Sequence, residues 1–229
     1  MGHGFDGFSP RAIEFLVDLA AHNDRAWFGP RKAEYERLLK GPLEALCVAL
    51  AGDFERHGVA LTSDPKRSPF RIYRDTRFSK DKSPYKTHVS ASFPWRSERD
   101  GDDAPAHGGG YFHLQPGEVY IGGGMWHPEP AWLASWRARV DSDSGGVRAA
   151  IGDPRFVKRF KDIHGDSFKR IPAGFPADHP EATLLKLKDV TFGLRLADDE
   201  VFSAGLPATI AAAFADAVPV FRLLASIGG

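Results

Sequence analysis

Apolar positions change their period twice along this chain. Between Pro10 and Phe54 they recur every three to four residues: Ile13, Leu16, Leu19 and Ala20, then Tyr35, Leu38 and Leu39, then Leu43, Leu46 and Leu50. That spacing puts each set on one face of a helix. Ser9 is placed to cap the free amides of the first helix, and Pro10 suits its first turn, where a missing N–H costs nothing. The helix should end near His22-Asn23-Asp24, with Arg25-Ala26-Trp27-Phe28 as an aromatic link and Pro30 opening a second helix that Gly41-Pro42 kinks or restarts. Residues 10–54 therefore read as a helical pair.

From Pro69 the period becomes two, which marks strands. Phe70 and Ile72 alternate with Arg71 and Tyr73; Val89, Ala91 and Phe93 alternate with His88, Ser90 and Ser92; Phe112 and Leu114 alternate with Tyr111, His113 and Gln115. A Pro116-Gly117 turn then returns the chain through Val119 and Ile121, as in an antiparallel hairpin. The acidic, glycine-rich stretch 97–110 reads as a mobile loop between strands. Helical spacing resumes over 129–226: Ala131 to Val140, a helix opened by Asp153-Pro154 and running to about Ile163, and a last helix after Pro207 that Pro219 bends. One more strand covers Val190 to Leu196. Helical pair (10–54), strand region (69–126) and helical region (129–226) together predict a single α+β domain over 1–229, a mainly antiparallel sheet with helices packed on one face.

Composition narrows the picture. The chain has 229 residues, 42% of them hydrophobic, enough for one sizeable core, and no apolar run approaches the roughly 20 residues a membrane-spanning helix needs. No membrane contact is expected. The first fifteen residues lack the charged, apolar and small-residue sections of a secretory signal, so a cytoplasmic location is expected. The one cysteine, Cys47, lies among Leu46, Val48 and Leu50 and reads as a core thiol. A formal net charge of zero argues against coating nucleic acid through overall charge.

That balance hides a strong local asymmetry. Residues 66–86, KRSPFRIYRDTRFSKDKSPYK, hold eight of the thirty Lys and Arg residues against only Asp75 and Asp81, a local excess of six positive charges. Phe70, Ile72, Tyr73, Phe78 and Tyr85 are threaded between them, so the segment packs rather than floating as a basic tail. Arg offers a planar fork for phosphate or carboxylate and Lys a mobile point charge. Arg71, Tyr73, Arg74, Arg77, Lys82 and Lys86 are the candidate ligand-binding residues. Asp75 and Asp81 offer a competing use for the arginines, as braces of a turn through Thr76 to Lys82.

If the strands alternate as read, one sheet face carries Arg71, Tyr73, His88, Ser90, Ser92, Tyr111, His113, Gln115 and Tyr120. A histidine near several guanidinium groups is held neutral at pH 7 and able to accept a proton, which makes His88 and His113 the candidate catalytic residues. No metal or cofactor is expected. The nine histidines show no metal-ligand spacing, and Gly122-Gly123-Gly124 lacks the residues of a Walker loop or dinucleotide fingerprint and reads as a close backbone approach.

RIYRDTRFSKDKSPYKTH, with FSPRAIEFLVDLAAHNDRAWF before it and GGGYFHLQPGEVYIGGGMW after it, resembles a bacterial and fungal family of conserved proteins, domain of unknown function 2461. The matching positions include Asn23, Trp27 and Phe28; Arg71, Tyr73, Arg74, Asp75, Arg77, Phe78, Asp81, Lys82, Pro84, Tyr85 and Lys86; Gly122 to Gly124; and His179-Pro180 with Lys186. His22 stands where members often carry a first of two asparagines. The resemblance implies a family without a reaction. The reading the residues carry is binding of a phosphorylated or otherwise anionic small molecule by the basic loop on an open sheet face. The rivals are a nucleic-acid-binding module, with Tyr73, Tyr85 and Tyr111 stacking on bases, and a domain docking an acidic partner. The sequence does not set an oligomeric state.

Overall fold

The computed structural model describes residues 4–96 and 108–227. Its elements in chain order are α1 (Pro10–Ala21), α2 (Arg25–Tyr35), α3 (Gly41–Arg56), β1 (Val89–Pro94), β2 (Gly109–Gln115), β3 (Glu118–Met125), α4 (Pro130–Ser142), α5 (Ser144–Ile151), α6 (Pro154–Phe160), α7 (Ala182–Leu185), β4 (Val190–Leu196), α8 (Leu206–Asp216) and α9 (Val218–Ala225). The strands form one open antiparallel sheet in the order β1-β2-β3-β4, and the fold is α+β. Of the loop expected over 97–110, residues 97–107 lie outside the described residues.

Several elements differ from the sequence expectation for local reasons. The aromatic link Arg25–Phe28 is the first turn of α2, because Asp24 accepts a bond from the Trp27 amide at 2.8 Å and caps the helix there. Pro30 stands inside that helix. The Gly41-Pro42 kink is absorbed by a π-helical turn over Glu36–Lys40, in which Gly41 donates five residues back to the Glu36 carbonyl. Pro42 has no N–H to continue the tighter ladder. Residues 69–73 form no strand. They make only isolated antiparallel bridges, Pro69 with Ala91 and Tyr73 with Tyr85; opposite Arg74, Pro84 has no N–H to return the bond that its carbonyl accepts. The helix after Pro154 stops at Phe160, where Lys161 turns to a φ of 73°.

The chain forms two compact units. One comprises Met1–Phe93, Tyr111–Ile121 and Arg195–Ala212; the other Pro94–Gly110, Gly122–Leu194 and Ala213–Gly229. In the first, the helical faces read from the sequence bury Leu16, Leu19, Leu39, Leu43, Leu46 and Leu50. An aromatic cluster joins Phe15, Phe28, Tyr35 and Tyr85, and Phe8 stacks on Phe112 of β2. Cys47 is buried and its thiol is pushed up to about 12 by that burial, so it serves the core.

The second unit is organised on Phe192 of β4, which meets Phe156, Phe160 and Phe221 edge to face. The glycine run at the end of β3 is a close approach. A Cβ on Gly123 would sit 2.7 Å from the Phe221 ring, and one on Gly124, whose φ is 119°, would sit 2.2 Å from the Val190 carbonyl. Only glycine permits both the conformation and the contact. Among the described residues, no single helix is long and apolar enough to cross a membrane.

Candidate functional site

Turn-forming residues close the basic segment on itself. Arg74 donates its backbone N–H to the Pro84 carbonyl at 2.9 Å, and Lys86 donates to that of Ile72 at 2.8 Å, so 72–74 and 84–86 run side by side as a short hairpin. At its tip Arg77 grips Asp75 in two places, Nε to Oδ1 at 3.0 Å and Nη2 to Oδ2 at 2.7 Å. Arg74 pairs with Asp81 and donates to the Ser83 carbonyl at 3.3 Å. The Arg77 contact holds the Asp75 carboxyl down at about 2. Asp81 is held well below the usual carboxylate range, first by the Ser83 hydroxyl and amide and then by Arg74. Lys82 donates to the Thr76 carbonyl at 2.9 Å. Both aspartates are thus spent on arginines, and the segment's excess of six charges resides on Lys66, Arg67, Arg71, Lys80, Lys82 and Lys86.

The hairpin's return arm is anchored more deeply. The Asn23 side chain acts as a one-residue strand partner: its Nδ2 donates to the Tyr85 carbonyl at 2.9 Å, and the Tyr85 amide donates to its Oδ1 at 3.0 Å. Phe28 stacks on the Tyr85 ring at 4.1 Å. Two hydrogen bonds and a buried ring contact therefore fix the backbone from which Lys86, Thr87 and His88 project. Around that arm lies a cavity of about 330 Å³ walled by Asn23, Arg74, Asp81, Ser83, Lys86 and His88, with Ala20, Tyr85 and Thr87 completing it.

Two cations and one carboxylate on that wall leave one net positive charge. Lys86 carries it. Arg74 is matched by Asp81, whereas among the described residues no carboxylate pairs with Lys86, whose ammonium instead lies 5.1 Å from the Phe70 ring centre. Partial burial, helped by Arg71, lowers the Lys86 pKa from its ordinary value. A half-buried ammonium lacking a counter-charge is a poor structural brace and a good receptor for an anion.

His88 connects the cavity to the polar sheet face. Burial, then His113 and Lys86, pushes its pKa down to about 4, so it is neutral at pH 7. Its ring lies 4.4 Å from that of His113, whose Nδ1 is 3.0 Å from the Tyr111 hydroxyl. Burial raises the Tyr111 pKa, against a hydrogen bond with Ser90. The row from the buried Ser90 is linked by hydrogen bonds as far as His113, and a ring contact carries it on to His88 at the cavity wall. A pKa near 4 suits His88 to hydrogen bonding at neutral pH better than to strong proton abstraction.

Of the residues singled out from the sequence, the structure brings Arg74, Lys86 and His88 to the cavity. His113 stands one ring behind. Arg71 and Tyr73 are exposed on the hairpin, Arg77 is turned to Asp75, and Lys82 to the loop backbone. Tyr85 is buried against Phe28, which removes it as a stacking residue for a nucleobase. Asn23, Ser83 and Thr87 were missed as wall residues, because cross-chain pairing to Tyr85 has no periodic signature. The signal for Asn23 was its place among the family positions.

Fold and site define an α+β protein with an open antiparallel sheet and a cavity served by a half-buried lysine. Residues 11–222 match the family described as conserved hypothetical protein, DUF2461, and the chain belongs to that family. No curated protein and no solved structure matches it.

Proposed function

We propose that the protein binds a small anion in the cavity beside the hairpin, with Lys86 as its charge partner. The observation that carries this is the unmatched, half-buried Lys86 ammonium on a cavity of about 330 Å³. One net positive charge on the wall suits a single carboxylate or phosphate monoester better than a polyphosphate. Asn23, Ser83, Thr87 and neutral His88 supply hydrogen-bonding groups that select among such anions. If a reaction occurs there, His88 is the residue placed to exchange a proton with the ligand, with His113 and Tyr111 behind it.

A thermal-shift panel of small carboxylates, sugar phosphates and nucleotides tests the reading, because a ligand of the folded state raises Tm. A monoanion that stabilises wild type and not Lys86→Met is the expected result. A panel without any shift would count against the cavity.

A second reading rests on a different observation. Phe70, Tyr73 and Phe78 are exposed on the hairpin, Phe78 to 95%, among the unpaired cations. Rings and cations so interleaved are what single-stranded nucleic acids stack and lie on. A steep fall of oligonucleotide affinity with salt, lost with Phe78→Ala, would favour it over the small anion.

A further inference from the structure

Away from the cavity, in the second unit, the chain holds a histidine in the arrangement of an acid–base catalyst. His127 follows β3 with its side chain 66% exposed, while its partner Asp189, just before β4, is only 5% exposed. One oxygen of that carboxylate, Oδ1, lies 2.6 Å from the His127 backbone nitrogen and 3.1 Å from its Nδ1. The backbone N–H makes Oδ1 an acceptor, so the ring bond requires the proton to sit on Nδ1. The Nε2 lone pair is thereby turned outward. Among the described residues no side chain is hydrogen-bonded to Nε2.

Two features argue against a mere turn cap. Binding the backbone N–H alone would cap the turn, yet the imidazole Nδ1 also reaches the same carboxylate oxygen. His127 also keeps a φ of 50°, in the left-handed region where glycine is the undemanding choice. Trp126 beside it is 72% exposed and stacks on the imidazole at 3.9 Å between ring centres, leaving its other face open. An open indole face is a seat for a flat ring.

We propose that Asp189, His127 and Trp126 form a hydrolytic site for ring-bearing esters, independent of the anion cavity. Water is the nucleophile, since no protein hydroxyl or thiol is bonded to Nε2 among the described residues. Nε2 takes a proton from water as the water oxygen bonds to the acyl carbon. The ester C–O bond then breaks, the leaving oxygen takes the proton back from Nε2, and a carboxylic acid and an alcohol or phenol are released. Asp189 holds the ring in the required tautomer and faces the imidazolium formed in between, a positioning role.

The test is hydrolysis of p-nitrophenyl acetate by the full chain at pH 7.5. His127→Gln, at an exposed side chain, should keep Tm and lower kcat/KM about 100-fold. Trp126→Ala should raise KM more than it lowers kcat, and Asp189→Asn should cost at least about tenfold in kcat. His57→Gln, at another exposed histidine, should change nothing. A His127→Gln rate equal to wild type, or a folded Asp189→Asn variant with full activity, overturns the proposal. Should Asp189→Asn fail to fold, the nitrogen-15 spectrum of wild-type His127 decides: a proton on Nδ1 supports the site, and one on Nε2 alone overturns it.

Discussion

The tip of the basic hairpin and its return arm are neighbours in the chain and behave as opposites. At the tip, residues 75–82, charge is dense, and both carboxylates are taken by arginines, Asp75 by Arg77 and Asp81 by Arg74 from the base of the hairpin, while Lys82 is turned to the loop backbone. On the arm, Lys86 and His88 are half-buried, and among the described residues neither has a carboxylate partner. The arm is held by Asn23 and Phe28, so its side chains are not needed to hold it. The difference teaches that a run of arginines measures how much a loop must neutralise. Capacity for a ligand lies where a charge is partly desolvated, unmatched and fixed from behind.

The largest expected effect falls on the arm. Lys86→Met should weaken the anion found in the thermal-shift panel at least about 30-fold by calorimetry, the loss expected of a charge-assisted bond of about 2 kcal/mol, without lowering Tm. Asn23→Ala removes both bonds to the Tyr85 backbone. It should cost about 2 kcal/mol of stability, a Tm drop of about 4–8 °C, and loosen the ligand as well. Equal binding by this variant would mean that the arm needs no anchor.

Acidity sharpens the comparison further. His88 titrates near 4 when folded and near 6.5 when unfolded. Between those values the unfolded chain binds a proton that the folded chain refuses, so stability should fall as pH drops from about 6.5 toward 4. The depressed tip carboxylates, Asp75 and Asp81, lose their contribution lower, as pH falls below 3.8. Denaturation of His88→Gln between pH 6.5 and 4.5 should therefore show a flatter slope than wild type. The smallest effect belongs to the tip: Arg77→Ala should shift neither Tm nor affinity measurably, since its pair with Asp75 is a surface ion pair.

Much of the fold was legible because periodicity reports burial directly. Leu16, Leu39 and Leu50 are buried where helical spacing put them, and β2 alternates buried Phe112 and Leu114 with half-buried His113 and Gln115. Residues 69–73 misled because alternation records which side chains are covered, while a strand also needs continuous backbone pairing, and Pro84 lacks the N–H that would return a bond to Arg74. α5 was missed behind Gly145 and Gly146; Asp143 compensates by accepting from the Gly146 amide at 2.9 Å. In the site, the cluster of charge was visible and its internal pairing was foreseen as a competing use of the arginines. Which of the six unmatched cations would be held half-buried on the cavity wall depended on Asn23 reaching Tyr85 across 62 residues, a contact no local pattern encodes.

The most direct test of the account is a calorimetric titration of the panel's best monoanion into wild type, Lys86→Met and Arg77→Ala. Binding that is lost with Lys86→Met and unchanged with Arg77→Ala is the predicted result. Binding that survives the loss of Lys86 and fails with Arg77 would move the site to the hairpin tip and contradict the account.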